Sequence, residues 1–142
     1  MPRPDPDDWS SSQPHPEIPV SDAILEPLRA ICLPYPEAAE AVAFGKPTFQ
    51  VRRKNFCMLF LGERGIAAFV KAAPGMQEAV IARDAGRYFR PPYLGGKGWI
   101  GCWLEPEADP DWEELADLID ESYRLIAPKR LVAALGDDAA AR

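Results

Sequence analysis

Between Thr48 and Lys71 the chain reads TFQVRRKNFCMLFLGERGIAAFVK, three apolar runs separated by two short charged breaks. Thr48 to Arg52 is short, with Phe49 and Val51 on one side of an extended chain. Asn55 to Leu61 is apolar and aromatic, and Ile66 to Lys71 forms the third run. Arg53-Lys54 and Gly62-Glu63-Arg64-Gly65 are links of hairpin length. The expectation is a sheet that begins as an antiparallel meander.

Downstream, Pro91–Trp103 reads PPYLGGKGWIGCW. Glycines around a lysine suggest a phosphate cradle, but a P-loop needs Ser or Thr after its lysine and a helix to follow. Here Lys97 is followed by Gly98, and the segment runs into a strand with no helix N-terminus to receive an anion. The stretch therefore reads first as a turn: prolines set an extended approach and Gly95-Gly96 permits positive φ. Gly98 to Leu104 is a strand, with Trp99, Gly101 and Trp103 on one face and Ile100, Cys102 and Leu104 on the other. Both faces are apolar, so the strand is either central or faces a helix on one side and a partner on the other. Gly98 and Gly101 leave space beside the tryptophans. Tyr88-Phe89 reads as a brief strand before the prolines.

Helical patterns surround these strands. Ser21 is placed to cap a helix through about Cys32, with Ile24, Leu25, Leu28 and Ile31 as its apolar stripe. Pro34 and Pro36 end it, and Pro36-Glu37 begins a second short helical piece to about Val42, after which Gly45-Lys46-Pro47 turns the chain. Pro74-Gly75 opens a helix to about Arg83, with Met76, Ala79 and Val80 inward. Asp109-Pro110-Asp111-Trp112-Glu113 combines an Asp cap, a proline at the first helical position and acids in the first turn. Trp112, Leu115, Ile119, Tyr123 and Ile126 then recur at helical spacing as far as Pro128, which breaks or restarts the helix. The total is α+β, an antiparallel sheet with helices packed on one face.

Composition bounds the rest. The 142 residues fit one domain, and an apolar share of 47% supplies a core. Residues 1–20 hold six prolines and read as a disordered acidic tail; 21–135 form the domain; 136–142 read as a frayed end. No apolar run approaches a membrane span, and the N-terminus is unlike a secretory signal, so a cytoplasmic location is expected. Cys32, Cys57 and Cys102 are far apart in apolar surroundings, without metal spacing. The lone histidine, His15, lies in the tail, so a folded Ser-His-Asp or Cys-His site and a multi-histidine metal centre are excluded. No catalytic residue, metal or cofactor is expected.

Net charge is −6, but it is segregated. From Ala43 to Cys102 ten basic residues face three acids, Glu63, Glu78 and Asp84, which form no suggestive catalytic pair. From Glu105 to Glu121 there are nine acids and no base, a pattern expected of a solvated helix face. The positive middle nominates Arg52, Arg53 and Lys54 as phosphate contacts on an exposed hairpin, with Lys97 as a further contact and Tyr93 as a stacking group. Lys46, beside Gly45, is within reach of a ligand, and Lys129-Arg130 either complement a helix dipole or extend the basic surface. The acidic tail is a candidate to fold over the basic face.

Several pieces in order resemble the MmcQ/YjbR family of small bacterial proteins: LPYPEAAEAVAFGKPTFQVRRKNFCML from Leu33, VKAAPGMQEAVI from Val70, RYFRPPYLGGKGWIGCWLE from Arg87 and DWEELADLIDESYRLIAPKRL from Asp111. Together they span about Ile31 to Leu131. The resemblance implies a CyaY-like α/β sandwich, likened to a double-wing DNA-binding motif in which hairpins act as wings. Arg52, Arg53 and Lys54 then fall on the first wing and Lys97 near the second. The expected function is a non-enzymatic binding domain acting on DNA. The alternative is a small-molecule or protein-interaction module with no nucleic-acid role.

Overall fold

A computed structural model describes residues 20–43 and 45–140, with side chains through residue 135. The tail expected at 1–20 lies outside these residues apart from Val20. The end expected at 136–142 is described only as backbone, through Ala140.

The described residues form a six-stranded antiparallel sheet with four α-helices, an α+β fold. The helices are α1 (Asp22–Cys32), α2 (Met76–Arg83), α3 (Trp112–Ile126) and α4 (Lys129–Ala140). The strands are β1 (Ala38–Ala43), β2 (Lys46–Val51), β3 (Lys54–Gly62), β4 (Gly65–Lys71), β5 (Tyr88–Phe89) and β6 (Trp99–Trp103). Their order across the sheet is β1-β2-β3-β4-β6-β5. The meander expected from Thr48 to Lys71 is present, closed by two-residue links: Val51 pairs with Lys54 and Gly62 with Gly65.

Alternation along the strands divides the apolar residues between two cores. On the helix side, Ile66, Ala68 and Val70 of β4 and Ile100 and Cys102 of β6 meet Leu28 of α1, Leu115 and Ile119 of α3 and Leu131 of α4. Val80 of α2 and Tyr88 of β5 join the same core. The free thiols of Cys32, Cys57 and Cys102 are fully buried there, and burial pushes that of Cys102 up to about 12. On the opposite face Met58, Phe60, Ala67, Phe69, Trp99 and Trp103 form a second, smaller cluster. The two apolar faces of the Trp99–Leu104 strand thus serve two different cores.

Local readings are corrected at four places, and Pro128 restarts a helix as one of the readings had it. The helical piece expected from Pro36 to Val42 is strand β1: Ala38–Ala43 pairs in full with β2. Six residues are too few to hold a helix alone, and the ladder offered by β2 outweighs alanine's helix propensity. Glu37, at φ 58°, makes the turn into it. Ser21 stands at the start of α1, but its side chain makes no capping bond; its carbonyl accepts from Ile24 and Leu25. The buried positions of α2 are Gln77 and Val80, while Ala79 is exposed. Helix α3 is capped by Asp111, whose side chain accepts from the Glu114 amide at 3.0 Å, so Pro110 precedes the cap instead of opening the helix. Lys129-Arg130 begin α4.

The acids after Leu104 are not simply a solvated face, because several tie the helix layer to the sheet. Glu105 accepts from the Ile66 amide at 2.9 Å, and Glu121 from the Ala73 amide at 2.9 Å. Asp120 accepts from the Tyr35 hydroxyl at 2.8 Å and from Arg124 at 2.8 Å. Glu105 and Glu121 each occupy a backbone donor that a sheet end or a loop leaves open. The buried Ser122 hydroxyl does the same between strands: it donates to the Phe56 carbonyl and accepts from the Lys71 amide.

Candidate functional site

The second face of the sheet carries the site. Its floor follows from the period-two rule: Met58 and Phe60 on β3, Ala67 and Phe69 on β4, and Trp99 and Trp103 on β6 all project to the side opposite the helix-side core. The rings form a continuous row. Phe60 stacks on Phe69 with centroids 4.5 Å apart, Phe89 meets Phe69 edge-on at 5.9 Å, and Phe89 stacks on Trp103 at 4.3 Å. Gly101 makes the row possible, because a Cβ there would stand 2.3 Å from the Phe89 ring. A glycine in mid-strand is explained by that close approach.

Two cavities open over this floor. The first, of about 510 Å³, is lined by Arg53, Lys54, Asn55, Met58, Tyr93 and Trp99 among others. The second, of about 590 Å³, is bordered by Leu61, Glu63, Arg64, Arg90, Phe89 and Trp103. Phe60, Phe69 and Pro92 line both, so the two adjoin as neighbouring lobes over one floor.

The Pro91–Trp103 stretch builds one wall of it. Gly95–Lys97 is a single 3-10 turn, and Gly98, at φ 89°, redirects the chain into β6. Gln77 of α2 pins this turn from below, donating to the Gly95 carbonyl at 2.8 Å and the Trp99 carbonyl at 2.6 Å. Arg90 lies across Gly95, whose missing side chain leaves room for it. The loop thus positions Pro92, Tyr93 and Leu94 beside the aromatic floor. Tyr93 is 51% exposed and has φ 65°.

Of the five residues nominated from sequence, three line one lobe: Arg53, Lys54 and Tyr93. The other two lie apart. Arg52 is held by Glu37 through two bonds, of 2.5 and 3.0 Å, and lines neither lobe. Lys97 borders a separate cleft with Lys71, Gln77 and Glu78. Lys46 is buried with its Nζ 5.8 Å from the Phe60 centroid, and burial lowers its pKa. The positive middle is also interleaved with acids. Arg83 bonds Glu114 at 2.5 Å, and Arg87 bonds Asp84 at 2.9 Å and Asp109 at 3.2 Å.

Sequence reasoning placed Trp99 and Trp103 on an apolar face but missed the part of the floor made by β3 and β4, together with Arg64 and Arg90 as site residues. The signal was present: alternate large apolar residues on β3, β4 and β6 mark a second apolar face in a chain whose helices cover one side. Among the described residues no His/Cys/Asp/Glu cluster suited to a metal occurs. No described helix is long and apolar enough to cross a membrane.

The YjbR family model matches residues 33–125, well over half of the chain. The chain belongs to the YjbR family. This YjbR protein is also similar in fold to a crystal structure of the Deinococcus radiodurans protein DR2400, which carries a DUF419 domain. The TM-score is 0.64 at 20% sequence identity, over 79% of this chain and 87% of that one. No curated protein matches the YjbR chain.

Proposed function

We propose that the protein is a binding module, and that it takes a small organic anion with an apolar body into the groove on the helix-free face of the sheet. One observation carries this reading: two adjoining apolar lobes lie over an aromatic floor, with Arg53 and Lys54 lining one of them. Each volume falls within the range of small-molecule pockets. An apolar wall with a few convergent cations binds the body by burial and orients the anionic group by charge.

A second reading, DNA bound through the hairpin, is favoured by the exposed Tyr93 beside Arg53 and Lys54. Two features weigh towards the small anion. Arg52 is already paired with Glu37. Phe60 and Phe69 are 9% and 5% exposed, so their ring faces serve one another instead of a base.

The test is a fluorescence titration with the dye anilinonaphthalene sulfonate, followed through the dye and through tryptophan emission, on the native chain and on the double variant Arg53→Glu/Lys54→Glu. The loss of two charge-assisted contacts is expected to weaken binding by roughly 10- to 100-fold. Equal binding by both proteins rejects the site. Labelled single- and double-stranded DNA, titrated across a salt series, separates the readings. Tight binding with a steep salt slope, abolished in the same double variant, favours nucleic acid.

A further inference from the structure

The proposal deepens the reading above and rests on it. We infer that the ligand is a single-headed amphiphile, a carboxylate on a long unbranched alkyl chain. Its head sits at Arg53 and Lys54, and its tail runs along β3 through both lobes.

The geometry behind this is lengthwise. The hairpin turn at Arg52-Arg53 precedes β3 and the turn at Glu63-Arg64 follows it. The nine residues between them span about 30 Å at the ordinary rise of a strand. The two lobes lie along that length and share only Phe60, Phe69 and Pro92. A flexible chain can thread such a waist, whereas a rigid ring system is confined to one lobe.

Charge sets the direction. The first lobe has Arg53 and Lys54 in its lining and no carboxylate. The second has Arg64 and Arg90 opposed by Glu63. An anionic head is therefore better placed at the first lobe, and a guanidinium there matches a carboxylate in planar geometry. The tail then meets Phe60 and Phe69 at the waist and Ala67, Phe89 and Trp103 beyond it. Each methylene that leaves water raises affinity by up to roughly fourfold. Affinity should therefore climb with chain length for as long as the second lobe is filling.

Hexanoate, decanoate and myristate, each kept monomeric, are titrated against the full chain by calorimetry. Affinity is expected to rise at each step. One substitution at an exposed second-lobe position isolates the tail: Ala85→Trp fills the lobe. That variant should remove the gain from decanoate to myristate while leaving hexanoate unchanged. Arg53→Glu/Lys54→Glu should weaken all three.

An affinity that levels off at hexanoate, with the head-group variant still weakened, overturns the two-lobe amphiphile and leaves the anion site standing. Failure of all three carboxylates to bind overturns the amphiphile, and the dye titration then decides the fate of the groove. Co-sedimentation with phosphatidylglycerol vesicles that persists in Ala85→Trp would overturn the proposal of a monomeric ligand in favour of a bilayer surface.

Discussion

Arg52 and Arg53 follow one another at φ 52° and 66°, a conformation that turns of this length normally give to Asn-Gly. Side chains with a Cβ are disfavoured there, so the hairpin carries strain at the residues that hold its cations. Arg52 recovers part of this through its paired bonds to Glu37, while Arg53 lines the groove. Arg53→Gly is expected to raise stability by about 1 kcal/mol, read as a higher urea midpoint at unchanged slope, while weakening anion binding. The Glu37 carboxyl is itself held below its ordinary value of 4.5 by the Arg52 guanidinium. Its folded value is the lower one, so its contribution to stability is present above 4.5 and is lost as pH falls through the folded value. Glu37→Gln should flatten the stability profile in that acid window alone; an unchanged slope there would assign the acid sensitivity to other carboxylates.

At the scale of elements, the wall of the groove depends on α2 through one side chain. Gln77 is buried and gives both its amide hydrogens to carbonyls of the Gly95–Trp99 turn. Gln77→Leu removes both bonds, leaving the Gly95 carbonyl with the Gly98 amide, and is expected to cost about 2 kcal/mol. Hydrogen exchange at Gly95–Trp99 should quicken well before exchange in β3 and β4 does; uniform quickening would mean the turn is not a local unit. Elements with a strong local signal were legible in the sequence. The meander, α3 and the short β5 follow from alternation, helical spacing and glycine. Strand β1 was not, because AAEAVA has no strand pattern and takes its conformation from a ladder formed with β2. Nor was the cap of α3: Asp109 and Asp111 are chemically alike, and only the backbone distinguishes the one at φ 49° from the one that caps. Gln77 escaped notice because a polar residue on a short amphipathic helix reads as solvated until the carbonyls beneath it are placed.

Across the whole molecule, one layer of helices leaves a two-sided apolar sheet with one side for packing and one for the groove. Sequence carried the nomination of Arg53, Lys54 and Tyr93, because charge and aromaticity cluster there along the chain. It could not separate Arg52 and Lys97 from them, since which way a turn residue points depends on partners such as Glu37 that lie elsewhere in the chain. The segregation of charge likewise dissolves in three dimensions, where Arg83 and Arg87 meet acids from the Glu105–Glu121 segment. The three cysteines come from α1, β3 and β6, and all are fully buried. An alkylating reagent or oxidant can reach them only while the layers are parted. The thiols therefore act as an internal clock: the rate at which they are modified reports how often this sandwich opens, and a ligand seated in the groove would slow that clock without touching a single sulfur.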